Sequence, residues 1–480
     1  MQQIRVEFSR NRMATSSTLN MSAHAVGARP NWGARLGEIG LYLIFFFALV
    51  VPQVPATSDL NVRSELLVLA AFMFIFAWLL LAGLVRPLRL NGMFVAALLF
   101  CTSVVTSMVY GTDVLHHQLL LRDYFEIPKA WLPAFYFTLT YEMELSEGAL
   151  KRFLNFLIIP TALICLYAWA QHFNLNIAYE LNPYYTGGQH VDLGLERYNR
   201  VYSTFGNPNI LGQFLSWTLV LYTSAFLFQV GTRARNVVIA LACMATMVLT
   251  GSRYALLATA LGLILILCLA VSTRKAATKS VALFLLLGVF TYTFISLQKS
   301  AHHQSRRFEE LRHPTEVNSL RLRLDGLWLE AENFITTSPI VGHGPAKQIF
   351  TGVFTDSEYL DILKEFGIAG FIPYICFYLW GFSYLIKGLR AGQKLGAEFE
   401  TRYAANFLMV RAGIVIILMA LFMNIGMFTY LNWELMGFLW MMMGLTVRAA
   451  MRMISTYEST FPTAADFRAA RQAMGLANRI

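Results

Sequence analysis

The chain has 480 residues, of which 56% are hydrophobic and only 14% are charged. A soluble globular domain carries about 25% charged residues, so the composition excludes that class and predicts an integral membrane protein. Much of the net charge of +10 lies in short loops between apolar segments, where basic residues orient helices. Nucleic acid is therefore not a predicted partner, whereas the lipid bilayer is.

Apolar segments recur along the chain at the length of a membrane span, which is about 20 residues. About twelve are found, near 39–56, 65–85, 92–110, 125–143, 153–171, 206–229, 236–251, 254–272, 279–297, 360–388, 405–426 and 430–447. The predicted fold class is all-α: a polytopic membrane protein of about twelve transmembrane helices, with a partly helical periplasmic loop between helices nine and ten.

The positions of lysine and arginine in the short loops predict the orientation of these helices. Basic residues cluster in five alternate loops, at 86–89, 151–152, 233–235, 274–279 and 387–402. We therefore expect five divisions: a disordered cytoplasmic tail 1–36, transmembrane helices one to nine over 37–297, a periplasmic loop 298–356, transmembrane helices ten to twelve over 357–447, and a cytoplasmic tail 448–480. The segment 172–205 and the Ser252-Arg253 corner fall on the outer side with the long loop.

Several nucleotide and metal motifs are missing from the sequence. It contains no Gly-x-x-x-x-Gly-Lys-Ser/Thr loop, no His-Glu-x-x-His and no paired Cys-x-x-Cys. ATP hydrolysis and zinc sites of these types are not predicted, and we expect no cofactor and no metal ligand. Any chemistry must use a substrate that is already activated and lies in or beside the membrane.

Two short corners carry arginine on the predicted outer side. In the first, Arg200 precedes a Gly206-Asn207-Pro208 turn, and Asn209 can cap the incoming helix. This corner is either a helix-entry turn with a solvated arginine or an anion site, because helix N-termini favour negative charge. In the second, Ser252-Arg253 joins two spans, and Arg253 is either a snorkelling anchor or a functional cation, since it opposes the charge bias.

The long polar loop carries a third candidate region. Apolar spacing in Ser319–Thr337 predicts an amphipathic helix at the membrane surface that Pro339 ends, with Arg321 and Arg323 before its core. Arginine suits phosphate binding because its planar fork can bind two oxygens at once. His343, within Gly-His-Gly-Pro, is either a turn residue or a phosphate or sugar contact.

The loop closes with Asp356, Glu358 and Tyr359 at the start of span ten. Carboxylates at this position either cap the helix or supply a general base for a sugar hydroxyl. Such a base typically accelerates a reaction by about 10²- to 10⁴-fold.

These motifs, in this order and topology, resemble the O-antigen ligase and O-antigen polymerase superfamily over about residues 197–375. The resemblance rests on Arg200-x-x-Ser-Thr-Phe-Gly-Asn-Pro-Asn, Thr-Gly-Ser-Arg253, Arg-x-Arg-x4-Trp328 with Ser-Pro-Ile-Val-Gly-His-Gly, and Asp356-Ser-Glu-Tyr-Leu before Phe-Gly-Ile-Ala-Gly. It implies a metal-independent, membrane-embedded glycosyltransferase of the bacterial inner membrane with its site facing the periplasm. Its implied partners are an undecaprenyl-pyrophosphate-linked oligosaccharide, an acceptor glycan or glycolipid, and other polysaccharide assembly proteins.

The resemblance also implies roles for individual residues. Arg200 and Arg253 would hold the pyrophosphate, and Arg321 or Arg323 would add a third contact. With Asp356 as general base, transfer would be a single displacement that inverts the anomeric carbon. The wider set of implied substrate contacts is Asn207, Asn209, Ser252, Arg321, Arg323, His343, Glu358 and Tyr359.

One departure from the family bears on the acceptor. Ligases of this family typically have His-Asn where this chain has Asp356-Ser357, and a carboxylate there is commoner in polymerase-like members. We therefore expect an O-antigen or exopolysaccharide polymerase, with ligation to a lipid A core or protein O-glycosylation as the alternatives. A transporter of the same lipid-linked sugar and a scaffold of an export complex are the alternatives from other classes.

Overall fold

The fold is described from a computed structural model of the chain. The described residues are 32–52, 54–55, 61–62, 70, 92–142, 147–185, 200–270, 288, 323–350, 355–430 and 432–461. Apart from residues 70 and 288, the predicted spans at 65–85 and 279–297 lie outside these ranges, and so does the predicted substrate contact Arg321.

Within these ranges the regular secondary structure is helical apart from a two-residue ladder, in which Val54–Pro55 pairs antiparallel with Asn61–Val62. The helices are α1 Trp32–Val50, α2 Gly92–Asp113, α3 Leu121–Tyr124, α4 Glu126–Tyr141, α5 Glu147–His172, α6 Asn176–Tyr185, α7 Pro208–Leu227, α8 Arg233–Thr250, α9 Arg253–Ala270, α10 Trp328–Thr337, α11 Glu358–Leu395, α12 Ala397–Arg402, α13 Ala404–Met423 and α14 Trp433–Thr460. A π-helical turn, Arg323–Leu327, leads into α10. The all-α class is confirmed.

Among the described residues, seven helices are long and apolar enough to cross a membrane: α2, α5, α7, α8, α9, α11 and α13. The chain is therefore a multi-pass membrane protein, and the total of about twelve spans stays a prediction. Helix α1 begins at Trp32, inside the segment 1–36 expected as a tail. Helix α14 continues to Thr460, into the segment 448–480 expected as a tail.

Helices α7, α13 and α14 form the centre of the bundle, where aromatic rings and small residues meet. Phe438 of α14 contacts Trp217 and Phe214 of α7, with ring centroids 6.1 and 5.2 Å apart. Gly413 of α13 faces Thr446 of α14 so closely that a side chain there would collide. Small residues at helix crossings let backbones approach, which is a main source of packing energy between membrane helices.

The bundle has two ends of different character. At one end, which we call the basic end, α5, α13 and α1 meet through Glu147, whose carboxylate accepts from Asn406, and through the 2.7 Å pair of Arg152 and Glu38. The described basic loops, 151–152, 233–235 and 387–402, lie there as well, because Arg411 of α13 reaches both Glu400 and the ring of Phe228, just before 233–235. The opposite end, which we call the lid end, carries residues 323–344, which we call the lid and which include α10, and the outer corners singled out in the sequence.

Helix α11 is broken near the lid end, a feature that the sequence did not predict. At Gly367 the backbone has φ 62° and leaves the helical conformation. Residues 338–344, which we call the staple segment, follow α10 and dock into this break. Four backbone hydrogen bonds of 2.8–3.0 Å join the two: His343 N to Lys364 O, Gly344 N to Glu365 O, Ile368 N to Pro339 O, and Ala369 N to Ile340 O.

The docking requires glycine, because a Cβ on Gly342 would lie 2.5 Å from the carbonyl oxygen of Glu365. The staple segment thereby satisfies backbone groups that the helix break would leave exposed. Helix α10 is fixed to α11 as a result, and the first two turns of α11 are held as a separate short helix at the lid end.

Candidate active site

The Arg200 corner and the Ser252-Arg253 corner meet, although about 50 residues separate them in sequence. Arg200 Nε donates to the carbonyl oxygen of Thr250 at 2.6 Å, and its Nη2 donates to Asn209 Oδ1 at 2.7 Å. Val201 N also donates to Leu249 O at 3.4 Å. The guanidinium of Arg200 is thus oriented by two acceptors on two different corners.

The N-termini of helices α7 and α9 converge on this point. Asn207 is the N-cap of α7, since its side chain accepts from Asn209 N at 2.8 Å, and Pro208 follows at the first helical position. The prediction that Asn209 caps this helix was wrong by two residues, because Asn209 instead holds Arg200. A Cβ on Gly212 of α7 would lie 3.1 Å from the side chain of Ser252, directly before α9.

Ser252 presents a buried hydroxyl between these helix ends. The residue is 2% exposed, and within the described part of the chain its Oγ has no hydrogen-bond partner. A buried polar atom without a partner is uncommon and calls for an explanation. Two helix N-termini, the guanidinium of Arg200 and this hydroxyl form a cradle suited to an anion.

Helices α9 and α11 begin beside each other against the end of α13. Tyr254, next to Arg253, donates through its hydroxyl to Phe422 O at 2.8 Å. Tyr359, near the start of α11, donates to the adjacent carbonyl, Leu421 O, at 2.6 Å. The shared anchor places Arg253 on the same face as the turn that carries Asp356.

Asp356 lies on the surface of that turn and pairs with Arg323. Arg323 donates from Nε at 3.3 Å and from Nη2 at 3.1 Å, both to Asp356 Oδ2. The Asp356 side chain is 46% exposed, and its backbone has φ 51°, a left-handed conformation that is uncommon outside glycine. Arg323 also lies close enough to Tyr254 to interact with it electrostatically.

These contacts connect five predicted site residues, Arg200, Ser252, Arg253, Arg323 and Asp356, along one side of the lid end; we call them the cationic strip. Three predicted contacts have supporting positions next to it, namely Asn207, Asn209 and Tyr359. The strip has four positive or neutral donors and one carboxylate, which is the composition needed to bind an anion beside a base.

Glu358, predicted as a substrate contact, is placed in the interior instead. It is fully buried, and its carboxylate accepts from the Tyr374 hydroxyl, from Thr429 N, and from Tyr430 N at 2.7 Å. The backbone N–H of Glu358 donates to Asn424 O at 3.0 Å. Glu358 therefore ties α11 to the loop between α13 and α14.

His343 is likewise held inside the lid rather than on the cationic strip. Its Nδ1 lies 3.2 Å from His117 Nε2, and its Nε2 lies 2.9 Å from both Thr337 Oγ1 and Phe334 O. The turn-residue interpretation of His343 agrees with these contacts. Burial, together with the neighbouring His343, lowers the pKa of His117 below its ordinary value.

Sequence reasoning missed a buried ionic network beneath the lid. Glu126 of α4 pairs with Lys129 at 3.1 Å and with Lys347 at 2.9 Å. Burial alone would lower the pKa of Lys347, but Glu126 and Glu365 outweigh it and raise that pKa. The available signal was the presence of Glu126 and Lys129 inside an apolar segment, since such charges need partners.

The family comparison bears on the same part of the chain. Residues 237–375 match the family model described as O-antigen ligase. The matched segment is thus similar to O-antigen ligases. The resemblance inferred from the motifs is thereby confirmed, and the matched segment includes Ser252, Arg253, Arg323 and Asp356, whereas Arg200 precedes it. No curated protein matches the chain.

No group of three or more His, Cys, Asp or Glu side chains that could hold a metal ion is found among the described residues of the chain. The arrangement that the lid end does present is cationic. It combines a cradle for an anion at the Arg200 corner with one exposed carboxylate on the same strip.

Proposed function

We propose that this protein transfers a sugar chain from undecaprenyl pyrophosphate to an acceptor sugar hydroxyl, as a polysaccharide polymerase. The observation that carries the proposal is the cationic strip. It sets two helix N-termini, Arg200 and the buried Ser252 hydroxyl at one position and the Asp356 carboxylate further along the same side.

The strip fits a reaction in which a diphosphate departs. The bond between the anomeric carbon and the pyrophosphate oxygen breaks, the acceptor oxygen bonds to that carbon, and the acceptor proton passes to Asp356. Negative charge grows on the leaving pyrophosphate, and donors already oriented at that position stabilise it most. Arg200 and Arg253 would bind the pyrophosphate, while Asp356 acts as general base in an inverting single displacement.

The two ends of the bundle support a periplasmic position for this site. The described basic loops lie at the basic end, opposite the lid end. Because short loops rich in lysine and arginine stay in the cytoplasm, the lid end would face the periplasm of a bacterial inner membrane. Lipid-linked sugar chains that have been flipped across that membrane would then be available to the strip.

The residue at the base position favours a polymerase over a ligase. Asp356-Ser357 stands where ligases of the family typically have His-Asn. A carboxylate can accept a proton from a sugar hydroxyl of a growing chain. The experiments below also show whether the acceptor is instead a lipid A core or a protein hydroxyl.

The transfer itself can be tested with purified protein in vesicles that carry undecaprenyl-pyrophosphate oligosaccharide. Elongated oligosaccharide would support the proposal, whereas movement of unchanged lipid across the bilayer would identify a transporter. A matched preparation of the Asp356→Asn variant serves as the control for contaminating transferase.

Polymerase and ligase activity can be separated in a strain that lacks the protein. Single lipid-linked repeat units that accumulate without extension would indicate a polymerase. Long chains that remain on their lipid carrier would instead indicate a ligase and overturn the polymerase assignment.

A further inference from the structure

The lid holds the turn of Asp356 at two points. The indole Nε1 of Trp328, in the first turn of α10, donates to Thr355 O at 2.7 Å. Arg323, five residues earlier, donates twice to the Asp356 carboxylate. One point fixes the backbone directly before Asp356, and the other fixes its side chain.

The turn itself is short and closed. Thr355 is fully buried, and its hydroxyl donates to Ser357 O at 3.0 Å and accepts from Ser357 N at 3.3 Å. Asp356 therefore projects from a turn in which its two neighbours, Thr355 and Ser357, are hydrogen-bonded to each other. Its left-handed backbone conformation sets the direction in which the carboxylate leaves the turn.

The π-helical turn explains how Arg323 and Trp328, five residues apart, can both contact the turn that carries Asp356. In an α-helix with 3.6 residues per turn, residues five apart point about 140° away from each other. The wider π turn, with its i to i+5 bonding, brings such residues closer to one face. Arg323–Leu327 has this conformation and ends directly before Trp328. Such π turns are frequent at functional sites.

We propose that Trp328 is a positioning residue for Asp356, and that Arg323 and Trp328 together aim its carboxylate at the acceptor. The inference rests on the proposed function, in which Asp356 is the general base. Both bonds from Arg323 go to Oδ2, and no described residue donates to Oδ1. Oδ1 is therefore the oxygen presented to the acceptor hydroxyl.

The proposal predicts a loss of rate without a loss of donor binding. A reacting group displaced by about 1 Å can lose about 10²-fold in rate. Trp328→Phe keeps an aromatic ring at this position but loses the smaller ring of the indole with its N–H, so we expect kcat to fall by about 10-fold while the KM for the lipid-linked donor stays unchanged. Trp169→Phe is the matched control, because its Nε1 donates to Thr246 Oγ1 at 2.9 Å elsewhere in the bundle.

A double-mutant cycle with Asp356→Asn distinguishes positioning of Asp356 from a general structural role of Trp328. If Trp328 acts through Asp356, adding Trp328→Phe to Asp356→Asn lowers kcat no further. Equal losses in both backgrounds, or wild-type kcat in Trp328→Phe, would overturn the inference. Should Trp328→Phe fail to fold in detergent, Arg323→Gln replaces it in the same cycle with the same two outcomes.

The cycle also separates this inference from the proposed function. An inactive Asp356→Asn with a fully active Trp328→Phe removes only the positioning role. A fully active Asp356→Asn removes the general base itself, and with it the proposed mechanism.

Discussion

Two carboxylates stand two residues apart at the start of α11 and have opposite surroundings. Asp356 is 46% exposed on its side chain and pairs with a single arginine. Glu358 is fully buried and accepts from a hydroxyl and two backbone amides. The difference indicates that Asp356 has an oxygen to offer a substrate, whereas the oxygens of Glu358 are committed to the fold.

The same contrast separates the cationic strip from the buried charges beneath the lid. In the strip, the charged groups are partly exposed. Arg200 is oriented by a backbone carbonyl and a side-chain amide, whereas Arg323 and Asp356 orient each other. Beneath it, the carboxylate of Glu126 binds two lysines, and its Oε2 also accepts from Tyr430 at 3.3 Å. Removing one partner of such a buried pair leaves an uncompensated charge and is strongly destabilising. Strip substitutions should therefore affect transfer, and substitutions beneath the lid should affect stability.

Asp356→Asn should give the largest effect on transfer. The amide keeps the size of the side chain and can still accept from Arg323, but it cannot take a proton from the acceptor. We expect transfer to slow by about 10²- to 10⁴-fold, with the thermal unfolding midpoint in detergent unchanged. Glu332→Gln, an exposed residue on α10, is the control. A variant that transfers at the normal rate would place the base elsewhere.

Arg200→Ala comes next in size, because it removes one cation from the anion cradle. A charge-assisted hydrogen bond contributes about 1.5–3 kcal/mol, so transfer should fall by about 10- to 100-fold. Arg200→Lys should recover only part of the lost transfer rate, since lysine lacks the planar guanidinium that reaches both Thr250 O and Asn209. Rates are measured against the concentration of the lipid-linked donor.

The matched control for this position is Arg233→Ala at the basic end. Arg233 also donates to a side-chain amide oxygen, that of Gln229, at 2.8 Å. Equal losses in the two arginine variants would show that removing any arginine harms the protein, and the anion cradle would lose its support.

Glu358→Leu should reverse the pattern of Asp356→Asn. Leucine has no acceptor, so the buried backbone amides of Thr429 and Tyr430 lose their partner, at about 1–3 kcal/mol of unfolding free energy each. We expect a lower unfolding midpoint and normal transfer per folded molecule. Normal stability combined with lost transfer would make Glu358 a reacting group and erase the contrast with Asp356.

The helices and corners could be predicted from the sequence because their signals are local. Apolar runs of about 20 residues are sufficient to mark spans, and the two arginine corners are marked by glycine. Gly206 and Gly251 have φ of 66° and 58°, in the left-handed region that glycine favours. Whether Asn207 or Asn209 caps α7 was harder to predict, since either side-chain amide could cap the helix. Only the tertiary contact of Asn209 with Arg200 distinguishes them.

The anchoring contacts could not be predicted because their partners lie far apart in the chain. Glu126 and Lys347 are 221 residues apart, and Glu358 and Thr429 are 71 apart. The break of α11 at Gly367 could not be predicted from the sequence for a related reason. A glycine in an apolar run is common in membrane helices, and only the docking of the staple segment shows that this one interrupts α11.

The smallest predicted effect concerns pH and the contact of His117 with His343. The pKa of His117 is lowered in the folded protein by burial and by His343. The unfolded chain therefore takes up a proton first as the pH falls below about 6.5. The stability contributed by a neutral His117 is present above that pH and is lost as the pH falls through the folded pKa.

We therefore expect the staple segment 338–344 to exchange its amide hydrogens faster at about pH 5.5 than at about pH 7.5, after correction for intrinsic exchange. His117→Gln retains an amide donor and cannot become cationic, so it should abolish this difference while leaving the protection of α7 unchanged. A staple segment equally protected at both pH values would show that His117 does not anchor the lid. The attachment of α10 would then rest on the backbone bonds to α11 and on the pair of Lys347 with Glu126.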